Sequence, residues 1–222
     1  MPALSRRQLL AGAGSAAFVA AFPDLALART DRAAALADDL AESYLRLSPG
    51  SATGLGIDRG ARAALKSRME DRSFVGVAAE RAWLKDALGR IDAVLPQARG
   101  ETAKTLDIAQ TAYATALEGY GFGYGDVAIG GWRNGPYPVA QNMGAYLDAP
   151  KFLDASHVIE NAADADAYLA RLSAIPAQLD GETERLRAAR GMGVVAPDFI
   201  LAKTLAAMRL TRGEAAGETL LV

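Results

Sequence analysis

Apolar side chains recur at every third or fourth position over most of the chain, which predicts a mainly α-helical protein. One such run covers residues 30–47, with Thr30 or Asp31 available as the N-cap, and two longer runs cover residues 73–95 and 102–118. This spacing places the apolar side chains on one face of an α-helix. A proline ends the second helix, so we expect it to pack against the third as an antiparallel hairpin joined by a short polar loop.

A long helix is predicted in the C-terminal third of the chain. Asn161 followed by Asp164 resembles a capping box and opens a helix that ends near Gly191. Pro176 lies inside it and should kink or split it, because proline removes a backbone hydrogen bond. The pattern assigns the buried stripe to Tyr168, Leu169, Leu172, Leu179 and Leu186. It assigns the exposed side to Glu182, Glu184, Arg185, Arg187 and Arg190. A last helix starts at Pro197.

Glycine and aromatic residues interrupt the helical pattern from Gly119 to Leu153. Each interior glycine costs a helix ~1 kcal/mol relative to alanine. The predicted fold is therefore an antiparallel helical array with one irregular or short β insertion around residues 119–147. A turn at 134–136 precedes an extended segment, residues 137–141. Two interpretations remain open, a strand that binds a peptide along its open edge and a loop whose aromatic residues cap the helical core.

Composition and charge exclude several classes of function. The 222 residues are 51% hydrophobic and 23% charged, and 24 basic against 26 acidic residues give a formal net charge of −2. This balance offers no basic surface for a nucleic acid. The chain contains no cysteine, which excludes disulfides, thiolate metal sites and cysteine nucleophiles.

The first 28 residues resemble an export signal of the twin-arginine type. Arg6 and Arg7 precede a short apolar run, and a small-x-small cleavage site ends at Ala28. The apolar run is about half the ~20 residues that a membrane-spanning helix needs, so we expect no stable membrane anchor. We expect export by the twin-arginine translocase, cleavage after Ala28, and a mature protein in the periplasm or outside the cell.

The sequence offers few residues to a metal ion. His157 is the only histidine and precedes Glu160 by three positions, a spacing that places two ligands on one face of a helix. Two such side chains fall short of the three protein ligands of a typical catalytic zinc site. We favour a structural, hydrogen-bonding role for His157 near a helix start. The chain contains neither a G-x-S-x-G elbow nor a P-loop, and we predict no metal ligand and no catalytic residue in it.

Several short segments, taken in order, resemble one bacterial family. They are Gly135-Pro136-Tyr137-Pro138-Val139, Gly144-Ala145-Tyr146, Pro150-Lys151-Phe152-Leu153, His157-Val158-Ile159, the run from Asp166 to Leu172, and the run from Gly191 to Leu201. Their order and spacing resemble the domain of unknown function 885 family, whose members look like helical zinc metallopeptidases. The resemblance implies an exported hydrolase whose zinc is bound by an H-E-x-x-x-G-H-like element on a later helix, with the glutamate as general base.

This chain lacks the His-Glu pair of that element, so the resemblance transfers no catalytic residue to it. Residues 29–222 are interpreted as the N-terminal helical part of a larger metallopeptidase-like domain. That part would be inactive alone, with the missing C-terminal half as its partner and zinc as a cofactor of the full-length enzyme only. We therefore expect exposed apolar stripes on the last helices.

The resemblance also implies a position for the substrate site. It implies that this part of the enzyme forms the helical wall or lid of a cleft for a peptide substrate. Within the insertion, the candidate cleft residues are Tyr137, Gln141 and Tyr146. The alternative is a stand-alone periplasmic helical binding or interaction module without catalysis.

Overall fold

The computed structural model describes residues 23–130 and 134–213, with side chains from residue 32 onward. Seven α-helices lie in these residues: α1 (Pro23–Leu47), α2 (Pro49–Gly54), α3 (Phe74–Val94), α4 (Gly100–Tyr120), α5 (Ala145–Ser156), α6 (Ala162–Gly191) and α7 (Asp198–Gly213). Two 3-10 helices, Gly60–Ser67 and Leu95–Gln97, join α2 to α3 and α3 to α4. The mainly α prediction is confirmed. Within the described part of the chain, no helix combines the length and the apolar character needed to cross a membrane.

The predicted export signal falls largely outside the described residues. Arg6 and Arg7 lie in the part of the chain that is not described, and Ala28 lies within α1. The start of α1 at Pro23 makes the predicted N-cap at Thr30 or Asp31 wrong. The alanine, leucine and arginine residues just before Thr30 are strong helix formers, so the helix continues through this position.

The apolar core lies where α1, α3 and α4 pack together. Leu36 and Leu40 of α1 contact Ala87 and Ile91 of α3 and Leu106 of α4, all of them buried. Burying a side chain of this size stabilises a fold by ~1.5–3 kcal/mol. The core is therefore held by apolar side chains that the sequence pattern identifies correctly.

The α3–α4 pair forms the predicted antiparallel hairpin. At one end the hydroxyl of Tyr120 donates to Glu80 Oε2 at 2.6 Å, and toward the other end Gln110 donates to Asp92. Ser73 caps α3, since its Oγ accepts from the backbone N–H of Val75 at 3.1 Å. This hairpin is confirmed, and its register places Glu80 and Tyr120 side by side.

The insertion is a loop rather than a strand. Residues 121–144 connect α4 to α5, and the described part of this loop contains only two isolated antiparallel bridges, Asp126 to Gly135 and Ala140 to Met143. The loop ends earlier than predicted, because α5 begins at Ala145 despite the proline inside it. Helix α5 was not predicted, although its buried residues Tyr146, Ala149 and Leu153 follow helical spacing.

Helix α6 is one continuous helix of 30 residues. The Oδ1 atom of Asn161 accepts from the backbone N–H of Asp164 at 3.1 Å, which confirms the predicted N-cap. Pro176 lies inside the helix without splitting it, so the prediction of a split is wrong. Its single missing hydrogen bond is tolerated because α6 is packed against α3, α5 and the first 3-10 helix.

Helix α7 packs loosely and exposes apolar side chains, as predicted. Phe199 is 63% exposed and Leu210 is 71% exposed, while Thr204 is buried. The main contacts of α7 with another helix, among the described residues, are with α5.

Candidate functional site

The inner face of α6 is buried and yet largely polar. Its buried residues recur every three or four positions and include Asp164, Arg171, Gln178, Glu182 and Arg185. The sequence pattern places Glu182 and Arg185 in solvent and Leu169 and Leu186 in the interior, and all four placements are wrong. Burial of a charge is costly unless the charge is paired or hydrogen-bonded, so these side chains need specific partners.

Glu182 joins α6 to the start of α5 and to the segment before α3. It is 2% exposed. Its carboxylate accepts from the backbone N–H of Ala145, at 3.0 and 2.8 Å for its two oxygens, and from Arg72 Nη1 at 2.6 Å. Gly144, the N-cap of α5, has no side chain to cap the helix, so Glu182 supplies the carboxylate that a helix N-terminus favours. Arg72 also pairs with Asp148 at 3.2 Å.

Arg185 fixes the loop onto α6. Its Nη2 donates to the carbonyl of Gly125 at 2.7 Å and pairs with Asp126 Oδ1 at 2.9 Å. Gly125 has φ +86, and a Cβ there would lie 2.4 Å from the carbonyl oxygen of Gly135, so only glycine fits. Arg185 therefore positions Asp126 at the edge of a cleft.

This polar cleft lies between the C-terminal end of α1, α3, the segment 68–72, the loop and Arg185 of α6. Its volume is about 510 Å³, within the range of ~300–1,000 Å³ typical of small-molecule sites. The charged residues that line it are Arg46, Arg68, Glu70, Asp71, Arg72, Glu80, Asp126 and Arg185, with Tyr44 and Tyr120 beside them.

Glu80 and Tyr120 form a hydrogen-bonded pair in the cleft. Burial raises the pKa of Glu80 above its ordinary value, and the nearby Asp126 and Glu70 carboxylates add to this, while the bond from Tyr120 opposes it. Burial and the Glu80 carboxylate also raise the pKa of Tyr120, so its hydroxyl stays protonated and donates. Glu80 is thus a carboxylate that a positive charge would stabilise.

An apolar cavity adjoins the polar cleft. It has a volume of about 250 Å³, and Val77, Tyr120, Val127 and Arg185 line both spaces. Its remaining lining is mostly apolar: Phe74, Ala78, Tyr124, Pro138, Ala188 and Met192, with glycines and Arg81. A charged cleft and an apolar cavity with common walls can receive two chemically different parts of one ligand.

A second polar network surrounds Arg171, which is 0% exposed. Its guanidinium donates to Thr53 Oγ1 at 2.7 Å, to the carbonyl of Arg68 at 3.0 Å and to the carbonyl of Leu65 at 3.1 Å. It also lies 4.9 Å from the ring centroid of Phe152. Arg171 therefore ties α6 to α2 and to the first 3-10 helix through neutral acceptors.

His157 completes this network. Its Nδ1 lies 2.9 Å from Arg171 Nη1, and its Nε2 lies 2.9 Å from the carbonyl oxygen of Asp164. Because a guanidinium can only donate, Nδ1 must be the acceptor and Nε2 must carry the proton. Burial lowers the pKa of His157, and the Arg171 charge lowers it further. The imidazole is therefore neutral, with both nitrogens engaged.

Comparison with known proteins places the chain in a family. Residues 49–221, most of the chain, match the model of a family of bacterial proteins of unknown function, DUF885. The protein belongs to the DUF885 family. No significant match to a curated protein or to a solved structure was found.

The zinc that the resemblance implies does not fit the described residues of this DUF885 chain. Residues 157–160 are not helical, so His157 and Glu160 do not share a helix face as their spacing suggests. Both ring nitrogens of His157 are hydrogen-bonded, and the described residues contain no group of three or more His, Cys, Asp or Glu side chains able to hold a metal.

The three predicted cleft residues of the DUF885 chain lie apart from the polar cleft. Tyr146 is buried, and its hydroxyl donates to the carbonyl of Ala140 at 2.9 Å, which holds the end of the loop. Gln141 is exposed and Tyr137 is half-buried. None of the three lines the polar cleft or the apolar cavity. Their role in substrate binding stays a prediction.

No motif in the sequence marks the residues that line the cleft. By helical spacing Tyr120 continues the apolar stripe of α4, and Glu80 and Asp126 belong to no recognisable pattern. One signal was present in the sequence, since Gly181 is an isolated glycine inside a predicted helix, where it costs ~1 kcal/mol relative to alanine. A Cβ on Gly181 would lie 2.8 Å from the backbone nitrogen of Ser73.

Proposed function

We propose that this DUF885 chain is the substrate-binding, N-terminal part of an exported zinc-dependent hydrolase of peptidase type. The observation that carries the proposal is the cleft of about 510 Å³ beside α6, whose charged side chains are held in place by ion pairs and hydrogen bonds. A rigid cleft with both acidic and basic groups suits a peptide, which offers charged ends and backbone hydrogen-bonding groups.

The proposal divides the work between this chain and the rest of the enzyme. The side chains described above do not fit a zinc site, so the metal ligands and the general base would come from residues beyond this sequence. The residues of this chain bind and orient the substrate. Arg185 holds the loop at the cleft edge, and Glu182 with Arg72 anchors α5 and the segment before α3.

The second candidate is a periplasmic binding module without catalysis. The ligand-sized cleft supports this candidate as much as it supports the hydrolase. The described residues that do not fit zinc are also consistent with it. The genomic sequence after codon 222 separates the two candidates. An open frame encoding an H-E-x-x-x-G-H-like motif supports the hydrolase, and a stop codon with no such motif contradicts it. Elemental analysis of the purified chain gives a second test, because stoichiometric, tightly held zinc would refute the assignment of the metal ligands to another segment.

Peptide binding by the cleft can be tested with one blocking substitution. Val75 lines the cleft and is 73% exposed, so Val75→Trp adds bulk to the cleft without disturbing the core. We expect it to weaken binding of a tripeptide pool, measured by saturation-transfer NMR, by about ten-fold or more. Val158→Trp is the matched control, because Val158 is 61% exposed and does not line the cleft. Equal binding by the two variants would refute the cleft as the peptide site.

Export is part of the same proposal. The Arg6-Arg7 pair and the small-x-small site at Ala28 support recognition by the twin-arginine translocase and release into the periplasm or the medium. Replacement of both arginines by lysine should retain a fused reporter in the cytoplasm. Unchanged export of that fusion would refute the route.

A further inference from the structure

The apolar cavity and the polar cleft together determine which chemical groups one end of a ligand can carry. Their common walls are Val77, Tyr120, Val127 and Arg185. Val77 and Glu80 are three residues apart on α3 and therefore lie on one face of that helix. Tyr120 reaches from the wall of the apolar cavity to Glu80 through its hydroxyl. A ligand at this junction is in contact with both an apolar surface and a carboxylate.

The charge at the junction favours a cation. One oxygen of Glu80 accepts from Tyr120, and no arginine or lysine within residues 32–130 and 134–213 forms an ion pair with Glu80. Five arginines line the two spaces, and two of them are already engaged, Arg185 with Asp126 and Arg72 with Glu182 and Asp148. Burial raises the pKa of Glu80, and the Arg185 charge only partly offsets this. A bound ammonium group would compensate the Glu80 charge.

The apolar cavity limits the kind of molecule to which that ammonium group can belong. Its volume of about 250 Å³ and its lining by Phe74, Tyr124, Pro138 and Met192 suit one aliphatic or aromatic side chain. Because four residues line both spaces, a small ligand that fills both carries its apolar group and its ammonium group a few bonds apart. The α-amino group of an amino acid with an apolar side chain has this arrangement.

We propose that the junction binds the N-terminal residue of a peptide, with its apolar side chain in the apolar cavity and its free amino group at Glu80. This inference rests on the proposed function, since it names the part of a peptide substrate that the cleft recognises. It assigns Glu80 as the residue that selects a free N-terminus and the apolar cavity as the pocket that selects the first side chain.

The test compares three tripeptides on the full chain by isothermal titration calorimetry. Leu-Gly-Gly carries both features, N-acetyl-Leu-Gly-Gly lacks the charged amino group, and Gly-Gly-Gly lacks the apolar side chain. We expect Leu-Gly-Gly to bind about ten-fold or more tightly than either of the other two, as is typical for loss of a charged hydrogen bond or of a buried apolar side chain.

A conservative substitution tests the role of Glu80 separately. Glu80→Gln keeps an oxygen that can accept from Tyr120 but removes the negative charge, so the preference for Leu-Gly-Gly over its acetylated form should disappear. Glu101→Gln is the matched control, because Glu101 forms an exposed ion pair with Lys104 at the opposite end of α4 from Tyr120 and does not line the cleft. It should retain the preference.

The outcomes separate this inference from the proposed function. If the free and the acetylated peptide bind with equal affinity, Glu80 does not bind the amino group and the inference is overturned. If Val75→Trp also abolishes binding of both peptides, the cleft remains the peptide site. Absence of binding by all three peptides overturns both. Retention of the preference in Glu80→Gln overturns the role of Glu80.

Discussion

The α3–α4 hairpin and helix α6 bury side chains of opposite chemistry. In the hairpin the buried residues are apolar, with Leu84, Ile91 and Leu106 at 0–1% exposure. In α6 the buried face holds five polar or charged residues, and its other members are only alanine, glycine and isoleucine. The five are Asp164, Arg171, Gln178, Glu182 and Arg185. The hairpin is held by contact area, whereas α6 is held by individual hydrogen bonds and ion pairs.

The difference predicts how each region responds to change. Apolar packing is non-directional, so a core side chain of similar size is usually accepted. A buried polar network tolerates change poorly, because each donor or acceptor left unpaired keeps its full desolvation cost. The part of the fold that forms the cleft is therefore the less tolerant part.

The largest expected effect comes from replacing Arg171 by methionine. This change removes the donor from three buried acceptors, Thr53 Oγ1, His157 Nδ1 and the carbonyl of Leu65, and from the part-buried carbonyl of Arg68. We expect a loss of about 3–5 kcal/mol in the free energy of unfolding, because several neutral acceptors lose their donor together and each buried group left unsatisfied costs ~1–3 kcal/mol. Chemical denaturation followed by circular dichroism measures it.

Leu84→Met is the matched control for that substitution. Leu84 is fully buried in the hairpin core, and an exchange for methionine conserves volume, so the expected loss is below about 1.5 kcal/mol. If the two methionine variants lose equal stability, the contrast between the two regions is wrong.

A medium effect is expected where α6 touches the segment before α3. A Cβ on Gly181 would lie 2.8 Å from Ser73 N and 3.0 Å from the carbonyl carbon of Arg72, so the backbone has to move. Gly181→Ala should destabilise the protein by about 1–3 kcal/mol through overpacking. It should also weaken peptide binding, since Arg72 lines the cleft.

Gly89→Ala provides the comparison within α3. Gly89 is exposed, and nothing lies within 4 Å of a Cβ placed there. Alanine has the higher helix propensity, so this variant should gain about 0.5–1 kcal/mol. A gain in both alanine variants would show that α6 does not approach Ser73 as closely as described.

The smallest expected effect is a dependence of stability on pH. The pKa of His157 is lowered in the fold by burial, so the unfolded chain binds a proton first as pH falls. The stability that neutral His157 contributes is therefore present above pH ~6.5 and is lost as pH falls toward the folded-state pKa. The groups around the ring are Arg171, Lys66, Asp164 and Tyr168.

His157→Gln isolates this contribution. The amide can accept from Arg171 and donate to the Asp164 carbonyl, but it does not titrate. Unfolding free energies between pH 7.5 and 5.5 should fall for the wild-type protein relative to the variant. Parallel pH profiles would contradict the neutral state assigned to the imidazole.

The sequence predicted the regular parts of the fold because their burial follows apolar spacing. Leu84, Ile91 and Leu106 mark the hairpin, and Asn161 marks the start of α6. The prediction of buried positions failed where charged or polar side chains are buried. Glu182 and Arg185 are ordinary surface residues by type, and only their partners Ala145, Arg72 and Asp126, distant in sequence, make burial favourable.

The candidate cleft was harder to predict for the same reason. Glu80, Tyr120 and Arg185 come from α3, α4 and α6, so no local pattern connects them. The glycine and aromatic residues of the loop indicate a region next to the cleft, but the side chains predicted from them are not the ones that line it. Tyr146, one of the predicted cleft residues, instead fastens the loop by its bond to Ala140.

The sequence alone determined the mainly helical class, the α3–α4 hairpin, the N-cap of α6 and the membership in the DUF885 family. These depend on local periodicity, capping chemistry and ordered segments of sequence. Only the tertiary structure decided which face of α6 is buried, the neutral tautomer of His157, and the meeting of Glu80 with an apolar cavity. Each of these depends on partners far apart in the chain, and a charged residue becomes a buried one only when such partners are in place.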